Sequence, residues 1–206
     1  WPFESPLTSR PIDLFYFIFF VVHIPATLLI DCQAIWPKHL IPESLQLLPP
    51  WYVGMSGDFL IGGAMGILGN GSGLAWFSVR LVPAPSRHYQ CDRRPFTACF
   101  NSLLFVIGAY GLWKDSRGIY GLLVLYGAST CTTTYACVAA ILDTPTTSAA
   151  TIAQNVVSIT PAHRVMLLSS YVPFFLIPLF LAVDMAVRLQ KLASVGIRAL
   201  ESSKRE

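Results

Sequence analysis

The stretch LFYFIFFVVHIPATLLI, residues 14–30, decides the fold of this 206-residue chain. Its polar side chains are His23 and Thr27, and it contains no charged residue. With its continuation to Ile35 it has the length of a membrane-crossing helix, which needs about 20 predominantly apolar residues. The stretch therefore predicts a first transmembrane helix.

Three other segments extend this reading to the rest of the chain. Residues 118–142 contain no charge, residues 165–187 contain only Asp184, and hydrophobicity also returns over residues 96–113. Charged residues make up 12% of the chain, whereas soluble domains carry roughly 25%. We predict an all-α membrane protein, a four-transmembrane-helix bundle whose second helix is anomalous, with room for one domain and none for a soluble catalytic domain.

The anomaly lies in residues 78–94, where several arginines and prolines oppose a continuous membrane helix. We predict a loop or a distorted helix there. A real insertion across residues 78–105 and an error in the gene model are both compatible with this composition.

The basic residues predict the orientation in the membrane. Eight of the fourteen lysines and arginines flank the spans on one alternating side. They are Arg10, Lys114, Arg117, Arg188, Lys191, Arg198, Lys204 and Arg205. Because cytosolic loops are enriched in Lys and Arg, we predict a cytosolic segment 1–9, a membrane domain 10–187 and a basic cytosolic tail 188–206.

Two motifs carry a family resemblance, one in the first helix with its following loop and one in the fourth helix. HIPAT at residues 23–27 is followed by DCQAIWP at residues 31–37, by Trp51-Tyr52 and Asp58 in the first loop, and by SSYVPFFLIP at residues 169–178. The chain thereby resembles the EXPERA-domain family, in the branch of the sigma-2 receptor and its fungal relatives. The resemblance covers roughly residues 10–187.

This resemblance implies a four-helix protein of the endoplasmic reticulum membrane that binds sterols or amphiphilic amines. It implies a non-catalytic function in sterol trafficking or in handling mitochondrial precursors at the reticulum surface. One branch of the family isomerises a sterol double bond, but the second-helix carboxylate and glutamine of the family pattern are not found here. A sterol isomerase and a membrane adaptor with a vestigial pocket stay as alternatives.

Seven residues are candidate ligand contacts. His23, Thr27 and Asp31 are spaced by four and form one stripe along the first helix. By resemblance, Asp31 and Asp58 are the carboxylates that share a proton and meet an amine or a sterol hydroxyl, and Asp31 is the stronger candidate. Tyr171 and Phe174 match pocket positions of the family. Thr130 comes from the polar patch of residues 129–134.

Each candidate has a structural alternative. Asp31 could simply end its helix among lipid headgroups, and the two aromatic residues could be ordinary core. Serine and threonine hydroxyls in a helix commonly bond back to a carbonyl one turn earlier, which is the favoured reading of the polar patch.

Other partners follow from composition. The five cysteines lack CxxC spacing and the histidines lack a zinc pattern, so we expect free thiols, no metal and no cofactor. The net charge of +3 is small and sits at segment ends, which argues against nucleic acid. The expected partners are a sterol or cationic amphiphile and the lipid bilayer, and a homodimer is kept open.

Asn70 begins a glycosylation sequon in the predicted lumenal loop.

We predict that protease added to sealed microsomes removes epitope tags from both ends of the chain, because the basic flanks place both ends in the cytosol. A lumenal glycosylation tag inserted in the first loop serves as the control for sealing. Tags cleaved on opposite sides would contradict an even number of spans.

Overall fold

A computed structural model describes residues 5–29, 33, 38–60 and 94–204. Within these residues the chain is helical, apart from turns and one isolated parallel bridge between Thr146 and Ile159. The α-helices are α1 (Pro11–Leu29), α2 (Glu43–Gln46), α3 (Leu48–Ser56), α4 (Arg94–Trp113), α5 (Tyr120–Asp143), α6 (Ala149–Ala153) and α7 (Pro161–Ser203). Single 3-10 turns occur at Leu7–Ser9, Lys38–Leu40 and Arg117–Ile119.

Three helical segments of the described chain are long and apolar enough to cross a membrane. They are Pro11–Leu29, Arg117–Asp143 and Pro161–Ser203. In α4 the apolar part Leu103–Trp113 is shorter. The prediction of an all-helical chain with membrane helices is confirmed, whereas the count of four spans stays a prediction.

Several sequence predictions fall outside the described residues. These are the arginine- and proline-containing stretch up to residue 93, the Asn70 sequon, and, at the end of the first predicted span, residues 30–32 and 34–35. The described part of the first loop contains two short helices, α2 and α3.

α7 begins at a side-chain cap and then tolerates two internal prolines. The Thr160 hydroxyl accepts from the His163 amide at 3.2 Å, and Pro161 occupies the first helical position, where its missing N–H costs nothing. Pro173 and Pro178 each remove one helical hydrogen bond. The helix nevertheless continues to Ser203, beyond the predicted end of the span at residue 187.

The backbones of α5 and α7 approach each other closely at Gly127. A Cβ atom added to Gly127 would lie 2.6 Å from the Pro178 carbonyl oxygen and 3.0 Å from Ala182. Small residues let helix backbones approach closely in membranes, where lipid supplies no hydrophobic force between helices. Gly127 therefore sets the distance between α5 and α7.

Aromatic residues fill the core in which α1, α4, α5 and α7 meet. The Phe20 ring lies 5.4 Å from Tyr126 and 5.8 Å from Phe105, and Phe105 lies 5.5 Å from Tyr126, measured between ring centroids. Edge-to-face contacts at these distances are favourable. The buried members of this core are Tyr16, Phe19, Phe20, Leu104, Phe105, Ala109, Leu112, Leu123, Tyr126, Leu181 and Met185.

A network of ion pairs closes one end of the bundle around the buried carboxylate of Asp13. Arg188 contacts one Asp13 oxygen at 2.6 Å, and Arg10 contacts the other at 2.8 Å. Arg188 also pairs with Asp184 at 2.8 Å, and Arg10 with Asp115 at 3.0 Å. Three distant parts of the chain are thereby joined at this end.

Asp115 reaches the network because α4 ends in a left-handed turn. Its φ is 51°, and the Ser116 amide donates to the Gly111 carbonyl at 2.9 Å, which satisfies a carbonyl at the helix end. Aspartate is one of the few residues that adopts this conformation readily. The turn between α4 and α5 is therefore anchored to the start of α1.

We predict that Gly127→Ala lowers the thermal midpoint of the detergent-solubilised protein by about 3 to 10 °C, because overpacking costs about 1 to 3 kcal/mol. Gly121→Ala is the matched control on the same helix, where an added Cβ meets nothing within 4 Å. Equal midpoints for the two variants would contradict the close approach of α5 to α7.

We predict that Asp13→Asn destabilises the protein by up to about 3 to 5 kcal/mol, because it leaves two largely buried guanidinium groups without their shared carboxylate. Asp143→Asn, an exposed position at the end of α5, controls for loss of an acidic residue. Unfolding of both variants by a denaturant other than guanidinium checks this. Similar unfolding midpoints for the two variants would show that the network contributes little to stability.

Candidate functional site

Asp58 lies in a tight turn that follows α3. Gly57 ends that helix with a φ of 65°, in the left-handed region that glycine adopts without strain. The Leu60 amide then donates to Asp58 Oδ1 at 3.0 Å, and the Asp58 amide donates to Ser56 Oγ at 3.2 Å. These local bonds fix the carboxylate in a fully buried position.

Two tyrosine hydroxyls converge on the other oxygen of this carboxylate. Tyr171 of α7 donates to Asp58 Oδ2 at 2.9 Å, and Tyr52 of α3 lies 3.3 Å from the same oxygen. A buried carboxylate is tolerable only when hydrogen bonds replace its hydration. The bond from Tyr171 also ties the first loop to the last helix, across 113 residues of sequence.

The surroundings of this carboxylate are apolar. Asp58 is flanked by a second core, separate from the aromatic one, to which Tyr171 itself belongs. The buried members of this core are Leu60, Cys137, Ile141, Ile159, Leu167 and Tyr171. Electrostatic interactions are stronger in such a low-dielectric environment than in water.

His23 forms the centre of a second candidate group, which is aromatic. Its ring centroid lies 4.5 Å from that of Phe174, at an interplanar angle of 82°, and 4.2 Å from that of Phe19. Its Nδ1 hydrogen-bonds with the Phe19 carbonyl one turn earlier. His23 is half-buried, and Phe174 keeps 40% of its surface exposed.

The two groups are neighbours along α7. Tyr171 and Phe174 are three residues apart and so share a face of the helix, separated by a rise of about 4.5 Å. The structure therefore brings four of the predicted site residues together in two adjacent pairs: Asp58 with Tyr171, and His23 with Phe174.

The other predicted residues have different positions. Thr27 is buried on α1, one turn after His23. Thr130 on α5 is half-buried, one turn after Tyr126. Asp31 lies outside the described residues.

The polar patch of α5 follows the back-bonding interpretation at two positions. The Thr132 hydroxyl donates to the Ala128 carbonyl at 2.8 Å, and the Thr133 hydroxyl lies 2.9 Å from the Thr130 carbonyl. These hydroxyls are satisfied within their own helix. Cys131 and Cys137 on the same helix are free thiols.

Sequence reasoning missed three residues around Asp58. Tyr52 was recognised as part of a motif but not as a contact of the carboxylate, and Ser56 carried no signal at all. His163 lies against Gly57, where an added Cβ would be 2.6 Å from its Nδ1. More than 100 residues separate His163 from this glycine, so no periodic pattern could have paired them.

Comparison with known proteins identifies relatives over most of the chain. Residues 95–185 match the EXPERA family, the expanded EBP superfamily. Sigma intracellular receptor 2 of Xenopus tropicalis is 28% identical over 178 residues, which cover 86% of this chain and 89% of that protein. The Homo sapiens protein of the same name is 27% identical over 182 residues, covering 88% and 90%.

A fungal protein is also similar. Efficient mitochondria targeting-associated protein 19 of Schizosaccharomyces pombe is 25% identical over 204 residues, covering 92% of this chain and 82% of that protein. The resemblance that the two sequence motifs indicate is confirmed by these matches.

Proposed function

We propose, on the premise that this chain is an EXPERA-type membrane protein related to sigma intracellular receptor 2, that it binds sterols or cationic amphiphiles without catalysing a reaction. The single observation that supports this proposal most is the buried carboxylate of Asp58, held by Tyr171 and Tyr52 beside an aromatic group. The site would lie in the endoplasmic reticulum membrane, with both chain ends in the cytosol.

The polar half of the proposed site suits an amine or a hydroxyl. A cation leaving water for an apolar site needs a carboxylate partner, since an unpaired charge there is costly. Asp58 provides this charge, and the hydroxyl of Tyr171 fixes its orientation from α7. Asp31, one turn beyond Thr27 on the predicted stripe, is proposed as the second carboxylate and the main partner of the amine.

The apolar half of the proposed site suits the body of the ligand. Phe174 presents a partly exposed ring on α7, and His23 lies edge-on against it. Aromatic faces bind both flat apolar surfaces and cations within about 6 Å of the ring centroid. A sterol or an amphiphilic amine combines an apolar body with one polar end, which matches this arrangement. Thr27 and Thr130 are proposed as lesser contacts.

A binding function is favoured over catalysis for two reasons. The two vertebrate relatives named above are receptors by name, whereas the EXPERA family also includes sterol isomerases. An isomerase needs one group to protonate an alkene carbon and a second group to remove a neighbouring proton. The second-helix carboxylate of the family pattern, which could act as one of these groups, is not found in this sequence. Sterol trafficking and handling of mitochondrial precursors are the proposed contexts.

We predict that Asp31→Asn weakens binding of a radiolabelled cationic amphiphile at least tenfold more than Phe174→Ala or Tyr171→Phe. Removing one partner of a buried charge pair costs about 3 to 5 kcal/mol, and about 1.4 kcal/mol corresponds to a tenfold change in Kd. The loss of affinity in Asp58→Asn is expected to lie between the losses in these variants, because Asp58 already has two tyrosine partners, which also stabilise the fold. Equilibrium binding to reconstituted protein at matched expression provides the measurement.

A neutral sterol distinguishes charge pairing from misfolding, because its affinity should fall much less in Asp31→Asn than the affinity of the amine. Asp143→Asn is the control for a surface carboxylate. Unchanged affinity for the amine in Asp31→Asn would contradict the assignment of Asp31 to the site and would favour the adaptor alternative. Conversion of an unsaturated sterol, followed by gas chromatography, would instead identify an isomerase.

A further inference from the structure

The last helix extends far beyond the membrane-crossing part of the chain. α7 contains 43 residues, which corresponds to about 65 Å at 1.5 Å per residue, roughly twice the thickness of the hydrocarbon core. Its apolar part ends at Val187, and Arg188 is tied to Asp13 and Asp184 in the ion-pair network. Residues 189–203 therefore form about four further turns outside the bundle.

These turns are amphipathic. At about 100° per residue, the larger apolar residues fall on one broad face, with small residues between them. The apolar face contains Leu189, Leu192, Ala193, Val195, Gly196, Ile197, Ala199 and Leu200. The opposite face contains Gln190, Lys191, Ser194, Arg198, Glu201 and Ser202, whereas Ser203 and Lys204, at the end of the segment, fall on the apolar side. A helix of this kind buries its apolar face against something.

Most of the apolar face is exposed in the described part of the protein, where Leu192 is half-buried. Val195 is 65% exposed, Ile197 is 56% exposed and Leu200 is 67% exposed. The hydrogen bonds described for side chains of this segment stay within it, from Ser194 to the Gln190 carbonyl and from Ser202 to the Ala199 carbonyl.

The charge of the segment indicates the nature of its partner. Lys191, Arg198 and Lys204 are opposed within residues 189–204 by Glu201 alone. Arg188 is not counted, because two aspartates already neutralise it. A basic amphipathic helix that directly follows a membrane span matches the negative surface of the cytosolic leaflet.

A second copy of the chain matches this face less well. The apolar face covers more than half of the helix circumference, whereas a two-stranded coiled coil buries a narrow seam. The middle of the face holds Gly196 between Leu189 and Leu200. Glycine there weakens a coiled-coil seam. Glu201 is also the single acidic residue available to pair across two copies within residues 189–204.

We propose that residues 189–204 dock on the anionic phospholipid surface of the bilayer that holds the spans, as a helix lying in the membrane plane. This docked position requires α7, which is continuous from Pro161 to Ser203 in the structure, to bend just after Arg188, whose ion pairs with Asp13 and Asp184 hold the end of the span in place. The leucines, Val195 and Ile197 enter the headgroup region, and Lys191 and Arg198 meet lipid phosphates.

The test is hydrogen exchange of the full chain, incorporated as one copy per nanodisc. Discs of phosphatidylcholine alone are compared with discs containing about one third phosphatidylserine. Amides of residues 189–203 are expected to exchange at least about fivefold more slowly with phosphatidylserine, since docking suppresses local opening. Salt at about 0.5 M should abolish most of this difference by screening.

A matched pair of variants separates docking from general stability. Val195→Ser combined with Leu200→Ser should remove the protection by phosphatidylserine, whereas Ser194→Ala combined with Ser202→Ala, on the polar face, should retain it. Equal exchange in the two kinds of disc would overturn the proposal. Protection that arises only with two copies per disc would also overturn it and assign the face to a second copy.

Discussion

The close contact of Gly127 with the backbone of Pro178 is the constraint on which the bundle depends. Apolar side chains gain little from leaving lipid for a protein interior, so helices in a bilayer associate mainly through close van der Waals contact and hydrogen bonds. With α5 and α7 held together, Tyr171 of α7 lies in one core with Cys137 of α5. The hydroxyl that holds Asp58 is thereby fixed in space.

Two buried carboxylates stabilise the bundle at different places, and their partners differ in kind. Asp13 accepts from two guanidinium groups, Arg10 and Arg188, so its charge is balanced within the protein. Asp58 accepts from the hydroxyls of Tyr52 and Tyr171 and from a backbone amide. Hydroxyls and amides stabilise a charge without neutralising it. This difference suits Asp13 to holding helices together, and it is the reason why Asp58 is proposed as the carboxylate that meets a ligand.

The sequence predicted what depends on local pattern and missed what depends on distant approach. Hydropathy located α1, α5 and the apolar part of α7, because a helix that crosses a membrane needs a continuous stretch of apolar residues. Family motifs singled out both Asp58 and Tyr171. The ion pair between Asp13 and Arg188 joins residues 175 apart and follows no periodicity. Likewise, Arg164 near the start of α7 donates to the Thr144 carbonyl just after α5, a contact that no local pattern indicates.

The large sequence separation between Asp13 and Arg188 also affects how the protein assembles during synthesis. Arg188 leaves the ribosome 175 residues after Asp13, which at about 5 to 20 residues per second takes roughly 10 to 35 s. During that time the nearby Arg10, three residues away, is the described partner available to the carboxylate. Until then, the carboxylate of Asp13 on the first helix has one of its two arginine partners. The ion-pair network therefore forms completely only when the last helix has been synthesised.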